Sequence, residues 1–203
     1  MANLKISLAP LVASVLDAHE FPLNQGGGIS GKATGALLRR FIGNENTFHL
    51  TANGSALGPT IADYFGANSS LGTVLNATYE LTFWLWYLKT TAGTVTYTLT
   101  NTQAYINLVA WYEQVAVGGI ATNASPTGGG IVTTTTAAAA LPVTASLTTA
   151  VNHFAMIKAI AECGTAGNIR LRVTSSAGTV TPLRGSYYTA RRLLAGNEGT
   201  FVA

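Results

Sequence analysis

The stretch GGGISGKAT places Gly26, Gly31 and Lys32 in the spacing G-x-x-x-x-G-K. That spacing is shared with phosphate-binding loops, whose backbone N–H groups cradle phosphates while the lysine neutralises them. The pattern normally closes on Ser or Thr, which holds Mg²⁺, and here Ala33 follows the lysine. A phosphate loop also follows a buried strand and opens a helix, whereas Pro22 interrupts the residues before this one. The only aspartates, Asp17 and Asp63, do not end an apolar strand where Mg²⁺ would sit. A flexible glycine-rich turn is the better reading, and no cofactor is expected.

Other catalytic groupings are equally thin. His19, His49 and His153 are far apart, with no H-x-x-x-H spacing for a metal, and His153 in its apolar run reads as a core residue. No G-x-S-x-G supports a serine nucleophile. Glu80 and Glu113, each beside tryptophans, are the best pair for glycoside cleavage, although solvent-facing or arginine-paired carboxylates are the simpler reading. Trp84, Trp86, Trp111 and Tyr112 could stack on sugars, but packing in a core or between subunits is the commoner use. The lone Cys163 excludes an intrachain disulfide and a multi-cysteine zinc site, and reads as a buried thiol. The chain is expected not to be an enzyme.

Composition points elsewhere. Of the 203 residues 48% are hydrophobic and only 9% are charged, where an ordinary soluble domain carries about 25% charge. Mean hydropathy is +0.31, yet the longest apolar run, FWLWYL, is far short of the roughly 20 residues of a membrane helix. Interface centres are depleted in charge, because an unpaired buried ion is costly. A surface of Thr, Ser, Asn, Gly and Ala therefore suits an assembly protein. The net charge of +3 is spread too thinly to suggest nucleic acid. Neither a membrane nor a nucleic-acid partner is expected. The apolar start of the chain contains Pro10 and no clear cleavage site, so it does not read as a signal peptide.

The elements that would position these residues are strands. Residues 1–45 read as an N-terminal arm or edge element, with Leu37, Leu38 and Phe41 as apolar anchors beside Arg39 and Arg40. Residues 46–203 read as a β-sandwich domain. In TYELTFWLWYLK, Tyr79, Leu81, Phe83, Leu85 and Tyr87 share one face, while the other runs from Thr78, Glu80 and Thr82 to Trp84, Trp86 and Leu88. A strand apolar on both faces is covered on both. TTAG and TVTYTLTN follow, and the two runs read as a β-hairpin. Further strands are expected over 104–117, 130–136, 141–147, 150–162, 167–174 and 186–193. In NIRLRV, Ile169, Leu171 and Val173 face inward, with Arg170 and Arg172 outward. IVTTTTAAAAL is expected to leave an edge strand for a loop at its alanines, which lack β propensity. The fold class is all-β, an antiparallel sandwich or jelly roll with an extended N-terminal arm.

Two stretches, SSLGTVLNATYELTFWLWYLKTTAGTVTYTLT and the closing GSYYTARRLLAGNEGTFVA, resemble the β-domain of many tailed-bacteriophage virion proteins. The resemblance covers about residues 69–203 and is one of pattern. It implies a non-enzymatic structural domain, commonly trimeric, displayed on a head or tail. A fibre of this group usually has a long shaft before the domain; a short apolar arm suits a capsid decoration or cement protein better. The expected partners are further copies in a homotrimer and the major capsid protein, on virions assembled in the bacterial cytoplasm. Leu37, Leu38, Arg39, Arg40, Phe41, Trp84, Trp86, Arg191 and Arg192 are the expected assembly residues. The alternative is a tail fibre or receptor-binding protein, with loops such as 118–130 contacting host glycans.

Overall fold

A computed structural model describes residues 20–24, 30–34, 45–116, 126–147 and 152–193. The chain divides into two compact units, Met1–Asn44 and Glu45–Ala203. In the first, β1 (Glu20–Asn24) and β2 (Ser30–Thr34) pair antiparallel, with Pro22 opposite Lys32. Gly31 and Lys32 thus lie in an extended strand, which is not the helix start that a phosphate loop requires.

The second unit is all-β among its described residues, with two antiparallel sheets packed face to face. One sheet has the order β3 (Glu45–His49), β14 (Tyr187–Leu193), β6 (Ala77–Lys89), β11 (Asn152–Cys163), β8 (Tyr105–Ala116) and β9 (Pro126–Thr134), and β13 (Val180–Pro182) also pairs β6. The other has the order β10 (Ala138–Leu147), β7 (Gly93–Asn101), β12 (Gly167–Ser175) and β4 (Ala62–Asp63), and β5 (Leu71–Thr73) also pairs β12.

Strict alternation explains β6, which keeps Tyr79, Leu81, Phe83, Leu85 and Tyr87 buried and its other face only partly covered. Val95, Tyr97 and Leu99 of β7 and Ile169, Leu171 and Val173 of β12 meet this side from the second sheet. On the outside of β12, Arg170 and Arg172 both pair with Asp63, at 3.0 and 3.2 Å.

Three expectations are corrected. β6 and β7 are not a hairpin: β6 pairs β11, β13 and β14, while β7 pairs β10 and β12. The short turn between them carries the chain from one sheet to the other, because each strand's apolar face needs the other's opposite it, not beside it. The edge strand β9 does run into a loop after Thr134, but the loop ends at Ala137, and Ala138–Ala140 of IVTTTTAAAAL open strand β10. The turn before them is held by Thr136 N–H donating to Thr134 Oγ1 at 3.0 Å and Thr136 Oγ1 donating to the Ala138 carbonyl at 2.9 Å. Residues 126–130, expected in a loop, belong to β9.

The inward face of β11 is also unlike its hydropathy pattern. His153, Ala155, Ile157, Ala159, Ala161 and Cys163 point in, while Phe154, Met156 and Ile160 point out. Register explains the small residues: Ala155 lies opposite Leu85, Ala159 opposite Leu81 and Ala161 opposite Tyr79. Small beside large fills the layer without strain.

The interior contains polar groups that are held in place. Gln114 Oε1 accepts from the Tyr87 hydroxyl at 2.6 Å and the Tyr97 hydroxyl at 3.4 Å, while its Nε2 donates to the Phe154 carbonyl at 2.9 Å. The Tyr64 hydroxyl donates to the Trp86 carbonyl at 2.6 Å beside Ser186. His153 is buried and stacks on Tyr87, with ring centroids 5.2 Å apart. Burial raises the pKa of all three phenols and of the Cys163 thiol.

Candidate functional site

The outer face of the larger sheet collects most of the exposed large apolar side chains among the described residues; Ile61 and Leu75 lie off it. Residues at alternate positions of β14, β6, β11, β8 and β9 line it, and the register orders them in rows across the strands. Near one end, Trp86 stands beside Phe154, with ring centroids 4.7 Å apart. Trp84 contacts both Phe154 at 5.6 Å and Tyr187 at 6.2 Å, the latter with planes within 16°. Towards the β9 edge lie Ile160, Val109, Trp111 and Ile131, the last 71% exposed. Lys158 reaches over the Trp111 ring, with Nζ 5.8 Å from its centroid. A cation on an aromatic face is a modest attraction, and it leaves the surrounding apolar surface uncovered.

Between β6 and β14 the surface is different. Register sets Tyr187 opposite Trp84, Thr189 opposite Thr82 and Arg191 opposite Glu80. The short threonines leave a depression of about 260 Å³, lined by Glu80, Thr82, Thr189 and Arg191. The Arg191 guanidinium donates to Glu80 Oε2. One wall is thus a neutral ion pair, and on the other side of the threonines stands the Trp84–Tyr187 ring pair.

Of the residues expected to act in assembly, Trp84, Trp86 and Arg191 share this face. Arg192, the next residue along β14, belongs to the opposite face by alternation and aligns with Tyr79. The two arginines therefore do not act as one basic patch. Leu37, Leu38, Arg39, Arg40 and Phe41 lie outside the described residues, as do 118–125 of the expected contact loop.

Glu80 and Glu113 lie on the same face but far apart. Glu80 aligns with Ile160 and Val109, Glu113 with Met156 and Trp84. That separates them by two strand spacings, about 10 Å, and by four residues, about 13 Å along the strands. Glycosidase pairs sit roughly 5–9.5 Å apart, so these two do not form one. Among the described residues no group of three His, Cys, Asp or Glu side chains is placed to hold a metal.

Tyr187, Thr189 and Phe154 escaped the sequence reading as parts of a site. Nothing local marks them, since Tyr187 meets Trp84 only through the pairing of strands about a hundred residues apart. The buried Lys89 escaped it too. It ends β6 at an inward position, and its Nζ donates to Ser175 Oγ at 2.7 Å and to the Ala177 carbonyl.

No family model matches the chain, and no curated protein matches it. Solved structures similar to it include chains from the Gx and Gt strains of infectious bursal disease virus. Each is 10% identical; they cover 86% and 88% of this chain, with TM-scores of 0.17 and 0.16. The chain spans less than half the length of either, 44% and 42%. At TM-scores this low the likeness carries neither fold nor function across.

Proposed function

We propose that the chain is a non-enzymatic structural protein of a tailed-phage particle. In this reading it is a decoration or cement protein that binds the assembled head as a homotrimer, with the major capsid protein as its partner. The observation that carries the reading is the uncovered apolar surface of β11, β8 and β9, in a chain with 9% charged residues. Exposed apolar surface continuous over several strands marks a place where another protein sits. Ile160, Val109, Trp111 and Ile131 would form the buried part of that contact. A trimer suits positions where three shell subunits meet, and many copies turn a modest contact into firm attachment. The pattern shared with phage virion β-domains over residues 69–203 supports the same reading.

A tail fibre or receptor-binding protein is the second reading, favoured by the polar depression beside the Trp84–Tyr187 rings. Electron microscopy of particles with the protein labelled tests the two. Label over the head supports decoration, label on the tail supports the fibre, and label on neither overturns both.

A further inference from the structure

The depression between β6 and β14 has no role in the assembly contact above. A sheet turns by roughly 20–25° per strand. The two to three steps from the β14–β6 pair to β8 therefore amount to about 40–75° of rotation, so the middle of the apolar half and the depression face different directions. A particle contact centred on β8 and β9, with Ile160 of β11 at its rim beside Glu80, leaves the depression open.

We infer that this depression binds a neutral oligosaccharide. Three features converge on that class. The floor is two threonines, Thr82 and Thr189, whose hydroxyls donate and accept without charge. One wall is the Glu80–Arg191 pair, which sets carboxylate acceptors next to guanidinium donors with no net charge. Adjacent sugar hydroxyls, each donor and acceptor at once, match such a pair; an isolated phosphate or carboxylate would meet the Glu80 carboxylate and be repelled. On the far side of the threonines, beyond the lining of the depression, stands the ring pair of Trp84 and Tyr187, both partly exposed, which adds apolar surface for the C–H face of a pyranose. The ring pair and the ion-pair wall are four residues apart on each strand, about 13 Å between Cα rows. That is wider than one sugar ring and suits a short chain of them lying across the threonines. Lys158, level with Thr82 on the neighbouring strand, points over Trp111 and is drawn away from the ligand.

This inference deepens the second reading but needs no particular place on the particle. Sugar binding is read on the purified protein and location on the virion, so each can fail without the other. The experiment presents the full chain to an array of neutral and anionic oligosaccharides. Any neutral ligand found is then titrated against tryptophan fluorescence. Thr82→Trp fills the trough without removing a contact from the core, and Arg191→Ala removes one wall; each is expected to weaken binding at least tenfold. Ile131→Ala, on β9 at the far edge of the sheet, is expected to leave it unchanged. All variants are checked for wild-type circular dichroism and melting, and Thr82→Val serves if Thr82→Trp does not fold, losing the floor hydroxyl alone. Absence of any bound neutral sugar, a preference for anionic ones, or binding indifferent to both trough variants overturns the inference.

Discussion

Lys89→Met is the substitution whose outcome most directly tests the energetics of this core. Lys89 has no accessible surface, and burial lowers its pKa. Withdrawing an ammonium from water costs several kcal/mol. Its two hydrogen bonds, each charge-assisted and worth about 1.5–3 kcal/mol, offset part of that. Removing a buried donor usually leaves its acceptors stranded, but here Ser175 Oγ itself donates to the Ala177 carbonyl at 2.6 Å. The acceptor therefore keeps a partner, and methionine preserves the length and nearly the volume of the side chain. Replacing a buried charge with an apolar residue of similar size is commonly neutral or stabilising by about 1–4 kcal/mol. We expect Lys89→Met to gain about 1–3 kcal/mol at about pH 7, or several degrees in melting temperature.

The pH dependence fixes the sign. The folded pKa lies below the unfolded value of about 10.4, so between the two the unfolded chain holds more protons and wild-type stability rises with pH. The advantage of the variant must therefore shrink between about pH 7 and about pH 10. Urea unfolding at both pH values, with the m-value checked for constancy, measures this. A variant less stable than wild type at neutral pH, or a gap that does not change with pH, would refute the reasoning.

Two further substitutions probe the rest of the fold. Gln114→Leu takes the shared acceptor from the Tyr87 and Tyr97 hydroxyls and a donor from the Phe154 carbonyl, leaves the two phenols only each other, and should cost about 2 kcal/mol in urea unfolding; a loss below about 0.5 kcal/mol would show that the amide contributes nothing net. Asp63→Ala leaves Arg170 and Arg172 facing each other without their shared carboxylate. Because both arginines are partly exposed, the cost should be about 1 kcal/mol and should narrow in high salt; a salt-independent loss would point to packing instead of charge.

Much of the fold is legible in short-range pattern, because a pleated strand buries every second residue whatever its neighbours are. That is why Tyr79, Leu81, Phe83, Leu85 and Tyr87 read correctly as one buried face, and Ile169, Leu171 and Val173 as another. Where the inward residues are alanines, as in β11, hydropathy has little to read, and the larger Met156 and Ile160 on the outside mislead it. Strand propensity failed in the same way at Ala138–Ala140, where pairing with β7 decides the conformation.

The sequence by itself determined that this protein is made of neutral, alternating strands with few ions to keep its surface in water. Only the tertiary structure decided which strands are neighbours. A turn as short as that between Lys89 and Gly93 joins two strands equally well side by side or face to face, and burying both apolar faces selects the second. The same pairing brings Glu80 to Arg191 and Thr82 to Thr189 across more than a hundred residues. Contacts made at that range leave no local mark, because they depend on register between strands and not on any residue's neighbours in the chain.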